Sequence, residues 1–467
     1  MNLAHLALTT IALAVFGQPA FAQSDPVAEC DRLAGDARDP QKAGPGVYLD
    51  DLQPEPAIAA CGAAVAAEPG NARLRYQLGR ALRKAGDYEA AAKELEAAAM
   101  RGYASAQAAL GELYEQGQGV PQDQASALAW FRLAAQQGHV DGEWKLGIAY
   151  GSGLGVEQDF AQSAEWLRRA AEHGDRWAAT IMGDYYREGK GVEKDEVAAA
   201  EWYIKGAELG EEGARHWLGL FFQEGRGGLT KNLPEAAKLF QLAADQGHAI
   251  AQVDLAYAYL IGAGVEQDLD KAYEWYRRAA DQGNSAGQYN VGVMHEQGKS
   301  VAKDEAEAAR WYAMAAEQGN ADAQNNLGVL YWEGRGVPQD LAKARELFEK
   351  AAAAGHERAK NNLAALDRPQ PNECDRLAGD PTDPQRVGEG VARIEPDAAA
   401  AALSACEAAI AEKPEEGRFH YQLGRALTAQ ANDTGALQAY EAAARLNHQF
   451  GLIAAGYQYQ AGAGVAA

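Results

Sequence analysis

The residues of this chain that could do chemistry are few. Ser300-Val-Ala-Lys303 matches S-x-x-K, the nucleophile motif of penicillin-interacting serine enzymes. No S-D-N or K-T-G partner accompanies it. Gly292 to Ser300 approaches the phosphate-loop pattern but has Val293 where the first glycine is needed, and no strand precedes it. His295-Glu296 begins like H-E-x-x-H, but Lys299 stands where the second ligand belongs. His139, His248 and His356 each follow a glycine and read as loop residues, and no G-x-S-x-G is present. The abundant carboxylates fall on solvent-facing helix positions rather than in a glycosidase-like pair. No enzyme, cofactor or metal site is expected from these residues. The four cysteines are the exception. Cys30 and Cys61 lie 31 apart, Cys374 and Cys406 lie 32 apart, and each pair sits in a similar segment. Three connectivities exist, and the duplication favours Cys30–Cys61 and Cys374–Cys406 as structural staples.

The elements that carry these residues repeat. A G-x-G triplet followed by an aliphatic residue places that residue at Val120, Val156, Val192, Leu229, Val265, Val301 and Val337, at intervals of 36 or 37. In this frame Ser300 takes the second glycine position of its turn. An aromatic or leucine pair keeps the same spacing, from Trp130-Phe131 through Trp202-Tyr203 to Leu347-Phe348. Within one unit, Ala106, Leu110 and Leu113 share a helical face, glycines end that helix, and Ala127, Phe131 and Ala134 start another. Neither helix can bury its stripe alone, so units must stack into an all-α, α/α solenoid (superhelix) of helix-turn-helix repeats. Gly111, Gly147, Gly183, Gly219, Gly292 and Gly328 share a mid-helix position, which predicts close helix crossing.

The ends of the chain add organisation. An apolar run from Leu6 to Phe16 followed by Ala20-Phe-Ala22 reads as a signal peptide over 1–22, although its n-region lacks Lys and Arg. A disulfide-stapled head is expected over 23–70, a tetratricopeptide-like unit over 71–102, the 36-residue array over 103–366 and a proline-containing linker over 367–373. Glu373-Cys-Asp-Arg-Leu-Ala-Gly-Asp380 then repeats Glu29 to Asp36 letter for letter, opening a second head (374–414) and a second tetratricopeptide-like unit (415–467). That copy stops at Gly462-Ala-Gly-Val465, where a further helix is expected, as in a chain cut short. A soluble, exported protein, periplasmic or secreted, is expected. The formal charge of −23 opposes nucleic-acid binding and adsorption to anionic lipid. Such a surface serves solubility or meets a basic partner.

Runs such as Ala323-Gln-Asn-Asn-Leu-Gly-Val-Leu-Tyr331 followed by Gly334-Arg-Gly-Val337 resemble the Sel1-like repeat family, relatives of tetratricopeptide repeats. The resemblance implies a non-enzymatic scaffold that holds a protein or peptide segment on a concave face lined by the first helix of each unit. Similar bacterial proteins act in kinase regulation, exopolysaccharide export or host interaction. Cysteine-rich members are linked to penicillin binding, so a cell-wall or β-lactam hydrolase is the alternative, with Ser300 as its nucleophile. Carried onto this sequence, the groove comprises Trp144, Ile148, Asp184, His216, Leu220, Val253, Tyr257, Tyr289, Val293, Asn326, Val329 and Trp332. It is largely aliphatic and aromatic, as either a binding groove or tight packing requires. Asn290, Asn326 and Asn362 form a 36-residue ladder that could bind a peptide backbone or simply suit the packing.

Overall fold

A computed structural model describes residues 25–366 and 372–464. The expected signal segment, residues 367–371 of the linker and Val465 lie outside the described residues. The described chain is helical, with no strand beyond an isolated bridge between Asp36 and Val47. It falls into two compact units, one ending at Asn320 and one beginning at Ala321. The division therefore runs through the 36-residue array.

In the first unit, α1 (Pro26–Ala34) and α2 (Pro54–Ala67) form the head, followed by α3 (Ala72–Ala85) and α4 (Tyr88–Ala99). Six helix pairs follow. The first three are α5 (Ala104–Gln116) with α6 (Gln124–Gln136), α7 (Val140–Ser152) with α8 (Phe160–Glu172), and α9 (Arg176–Glu188) with α10 (Glu196–Glu208). The others are α11 (Glu212–Glu224) with α12 (Leu233–Asp245), α13 (Ala249–Ile261) with α14 (Leu269–Asp281), and α15 (Ser285–Gln297) with α16 (Glu305–Glu317). The first helix of a pair is termed A and the second B. Within this unit each A helix packs on its own B helix, and each B helix from α6 to α14 on the next A helix.

The repeat positions now have physical roles. Gly117 ends α5 in the left-handed region, which a glycine adopts without strain. Gly119 is left-handed too (φ 69°), and a Cβ there would fall 2.1 Å from the Tyr88 carbonyl oxygen of the preceding unit. Asp123, Asp159, Asp195, Asn232, Asp268 and Asp304 then cap the B helices by accepting backbone N–H bonds. The mid-helix glycine admits the ring of its own B helix: a Cβ on Gly111 would meet Phe131 at 2.6 Å, and one on Gly183 would meet Tyr203 at 2.4 Å. Phe131, Tyr203, Phe240 and Tyr312 are accordingly buried, and close crossing compensates the poor helix propensity of glycine.

The second unit begins with α17 (Ala321–Glu333), α18 (Leu341–Ala353) and α19 (Glu357–Leu366). Its head contains α20 (Glu373–Ala378) and α21 (Ala399–Glu412), followed by α22 (Gly417–Ala429), α23 (Asp433–Arg445) and α24 (Gln449–Ala461). Both expected disulfides are formed, Cys30–Cys61 and Cys374–Cys406, each with a Cα–Cα separation of 4.6 Å.

Candidate functional site

The A helices position the residues expected to form a groove. Trp144 and Ile148 on α7 are half-buried and pack against the core between α8 and α9. The Trp144 ring lies 6.4 Å from that of Trp177. Asp184 on α9 accepts from the Tyr203 hydroxyl (2.8 Å) and the Arg187 guanidinium (3.0 Å). His216 on α11 is buried, with Nε2 2.7 Å from Asp254 Oδ2 and its ring 4.9 Å from that of His248. Leu220 and Val253 are half-buried against the core around Tyr276. Tyr289 sits 5.8 Å from the Tyr312 ring, and Val293 is half-buried. Most of these side chains therefore lend part of their surface to packing. Tyr257 differs, at 53% exposed.

Tyr257 belongs to an apolar stripe that the selected register only partly captured. Ile250 is 53% and Ile261 52% exposed on the same helix, α13, at spacings that share one face with Val253 and Tyr257. Trp177 at the start of α9 is 47% exposed. Ile250 and Trp177 occupy the register one turn before the chosen one, and scanning that register along the array would have found them.

In the second unit, Asn326 Oδ1 accepts from Asn325 (3.1 Å), while Val329 and Trp332 pack on the cluster around Phe348. All three rungs of the asparagine ladder are engaged internally: besides Asn326, Asn290 donates to the Ala286 carbonyl (2.8 Å) and Asn362 to Asn325 Oδ1 (2.9 Å).

A cleft of about 520 Å³ opens on the A-helix face at the start of the first unit. Asp36, Arg38 and Asp39 of the head loop line one side, Tyr76 and Arg80 of α3 and Ala108 and Glu112 of α5 its base, and Asp141, Asp175, Arg176 and Trp177 the other side. The loop is built from two Asx turns, Asp36 Oδ1 accepting from Arg38 N and Asp39 Oδ1 from Gln41 N, both at 2.9 Å. Tyr76 donates to Asp36 (2.7 Å), Tyr103 and Ser105 donate to Asp39, and Arg80 donates to the carbonyls of Ala34 (2.7 Å) and Val47 (2.9 Å). The loop is thereby fixed against α3 and α5. Burial pushes the Asp175 carboxyl up, with the charge of Asp141 adding to the effect. Partial desolvation opposes the Arg38 charge, but the carboxylates of Asp141, Asp36 and Glu112 outweigh it and raise its pKa. Other lining charges are paired within the cleft, Asp36 with Arg80 (3.4 Å) and Glu112 with Arg83 (2.6 Å).

Several carboxylates depart from the expected solvent-facing placement. Asp36, Asp39, Glu143, Glu211, Asp375 and Asp383 are buried, each held by donors, because a buried charge without partners would be too costly. Glu143 replaces one half of an inter-repeat clasp. In other repeats Gln137 donates to Gln107 (2.8 Å), Gln282 to Gln252 (2.8 Å) and Gln318 to Gln288 (2.7 Å). At the corresponding place Glu143 meets His173 Nδ1 at 2.7 Å and Arg169 at 2.9 Å.

The histidines also need correction. His248 and His356 are helix N-caps, their Nδ1 atoms accepting backbone N–H bonds from Ala251 and Ala359 (both 3.1 Å). His139 precedes α7 without capping it through its side chain. Ser300 is left-handed (φ 66°), as its glycine register requires, and donates its hydroxyl to Asp270 (2.7 Å). The Lys303 ammonium pairs with Glu305 at 2.9 Å. This serine and lysine are engaged with separate carboxylates. His295 Nε2 lies 3.2 Å from the Tyr273 hydroxyl. Among the described residues, no three His, Cys, Asp or Glu side chains converge as metal ligands.

Comparison with known proteins places this geometry. The model of the Sel1 repeat matches seven times, at residues 104–139, 140–175, 178–211, 213–248, 249–284, 285–320 and 321–356. A protective antigen of uropathogenic Escherichia coli displaying an SLR fold is similar in structure, with TM-score 0.61 and 31% identity over 88% of this chain and 84% of that one. A Sel1 repeat protein from Oxalobacter formigenes has TM-score 0.51 and 34% identity over 65% of this chain and 89% of that one. No curated protein matches the sequence.

Proposed function

Because the chain belongs to the Sel1 repeat family, we propose that it is a non-enzymatic scaffold holding a segment of another protein on the A-helix face of its first unit. Sel1 repeat proteins act as protein–protein interaction scaffolds, and the reading narrows that role to a face. The observation that carries it is the exposed stripe Ile250, Val253, Tyr257 and Ile261 on α13. Three of these four large apolar side chains are more than half exposed, where solvation alone would favour polar residues. Such a stripe offers anchors for an extended segment or a helix. Export fits the same reading: two disulfides imply an oxidising compartment, and the first 22 residues have a signal-peptide pattern. No helix among the described residues is long and apolar enough to cross a membrane.

The test is capture of partners from a periplasmic or culture extract by the full chain and by the double variant Ile250→Ser/Tyr257→Ser. The expected result is loss of about tenfold or more in captured partner, as for truncated anchor residues, with capture by the parent chain persisting at high salt. Equal capture by the variant would remove α13 from the binding face.

A further inference from the structure

Resting on the scaffold reading but on a different site, we infer that the cleft at the start of the first unit receives a lysine or arginine side chain of the bound segment. That cation seats between Asp141 and the Trp177 ring, and Arg38 of the head loop is the internal cation it displaces.

Three observations carry this. The first is shape and chemistry: a cleft of about 520 Å³ has an exposed aromatic ring on one wall, and Arg176 already stacks on that ring at 4.3 Å. An indole attracts cations electrostatically, and the Asp141 carboxylate lines the same cleft. The second is Arg38 itself. Its backbone is fixed by the Asx turn on Asp36, yet its guanidinium makes no ion pair among the described residues. It stands exposed in the field of Asp141, Asp36 and Glu112, which raises its pKa. The position of Asp141 in the first turn of α7 explains that carboxylate through the helix dipole. It does not explain an arginine held opposite it.

The third observation is an internal control. The second head rebuilds the same loop, Asp380 Oδ1 accepting from Thr382 N and Asp383 Oδ1 from Gln385 N, both at 2.9 Å. At the tip, however, Thr382 replaces Arg38, and Tyr457 stands in the register of Glu112. The loop therefore needs no arginine to fold. The arginine is a feature of the first head alone, absent from the copy in which Tyr457 takes the register of Glu112.

The experiment uses the full chain and three blocked pentapeptides, acetyl-Ala-Ala-X-Ala-Ala-amide with X as Arg, Leu or Glu. The Trp177 indole resonance, assigned through Trp177→Phe, is followed by NMR. The Arg peptide should shift that resonance saturably, and the Leu and Glu peptides should not. Asp141→Asn should weaken binding about threefold or more, the scale of a partly exposed ion pair. Arg38→Thr, which copies the second head, should tighten it by a similar factor. Unchanged affinity in Asp141→Asn, weaker binding in Arg38→Thr, or equal binding of the Glu peptide would each overturn the inference. Failure here and failure of the scaffold reading are separable. Capture lost in Ile250→Ser/Tyr257→Ser with no peptide response leaves the scaffold and removes the cleft, while the opposite pair of results keeps the cleft and removes α13.

Discussion

The head around Cys30–Cys61 and the head around Cys374–Cys406 were built from one design, and their bonds can be compared one by one. Asp36 accepts from Tyr76 as Asp380 accepts from Tyr421, both at 2.7 Å. Arg80 binds the carbonyls of Ala34 and Val47 as Arg425 binds those of Ala378 and Val391. Gln77 donates to Asp31 as Gln422 donates to Asp375, both at 2.9 Å. The copies part where the loop meets the next A helix. In the first, Asp39 receives the hydroxyls of Tyr103 and Ser105; in the second, Asp383 lies 2.9 Å from His448 Nε2. The loop tip changes with it, from Arg38 to Thr382. The difference shows which parts make the head and which parts were free to be adapted to what lies beside it.

The largest expected effect tests the shared part. Replacing both cysteines of either staple by alanine should cost that head about 3–4 kcal/mol, since the closed loops of 31 and 32 residues are nearly equal. Hydrogen exchange of α1 to α3 and of α20 to α22 measures each head separately, which one global transition in a chain of two units would not. A difference between the two heads above about 1 kcal/mol would break their equivalence, because the entropic model leaves no room for it.

The glycine that lets each head's following helices cross gives a smaller, unequal effect. A Cβ on Gly79 would meet the flexible Leu95 side chain at 2.7 Å, whereas one on Gly424 would meet the rigid Tyr440 ring at 2.3 Å. Gly424→Ala should therefore cost about 2–3 kcal/mol and Gly79→Ala about 1 kcal/mol, within the range for overpacked cores. Equal costs by hydrogen exchange of α3 and α4 in one variant and of α22 and α23 in the other would show that the neighbouring backbone, not the side chain, absorbs the strain. Below these, Tyr76→Phe and Tyr421→Phe should each cost about 1–2 kcal/mol by leaving a buried or half-buried carboxylate short of a donor.

Acid should separate the copies with the smallest effect. His448 Nδ1 accepts from Gly451 N, which leaves the proton on Nε2 facing Asp383. Burial pushes the imidazole pKa below its ordinary value of 6.5, Asp383 opposes this and Arg418 adds to it, while the Tyr421 ring stacks at 5.0 Å. As pH falls below 6.5 the unfolded chain takes up the proton before the folded one, so the second head loses stability on acidification. Tyr103, which takes the equivalent place in the first head, has its pKa raised, chiefly by burial and then by Asp39, so this pair contributes no change between pH 7 and 5 and its own stabilisation is lost above pH 10. Hydrogen exchange between pH 7 and 5 should show faster opening in α22 and α24 but not in α3 and α5 from this cause, and His448→Tyr should abolish the difference.

The periodic features were legible in the sequence because a repeat states its own geometry many times. The G-x-G turn, the mid-helix glycine that lets helices cross closely and both staples follow from residues that recur at fixed spacing, whereas the Asp and Asn caps of the B helices recur equally and went unread. Features that occur once or twice were harder to find. Asp39 and Asp383 lie three residues beyond the duplicated string that was visible, and their partners Tyr103 and His448 differ in kind. The Gln107–Gln137 clasp spans 30 residues and joins two polar side chains, so no hydrophobic pattern announces it. Burial of Glu143 depended on that clasp, which is why reading its carboxylate as solvent-facing failed. At the candidate site, the register named positions on the A helices but could not divide packing from exposure. Trp144 and Tyr257 occupy neighbouring registers on equivalent helices, and only the surrounding side chains leave Tyr257 in solvent.

The central claim is that partners meet the A-helix face of the first unit. Photo-crosslinking from benzoylphenylalanine placed at Tyr257 on α13, and in parallel at Leu242 on the B helix α12, tests it most directly, since both side chains are exposed, at 53% and 40%. Crosslinks to a captured partner from position 257 and none from position 242 are the predicted result. Crosslinks from position 242 alone would contradict the assignment and move the binding surface to the B helices.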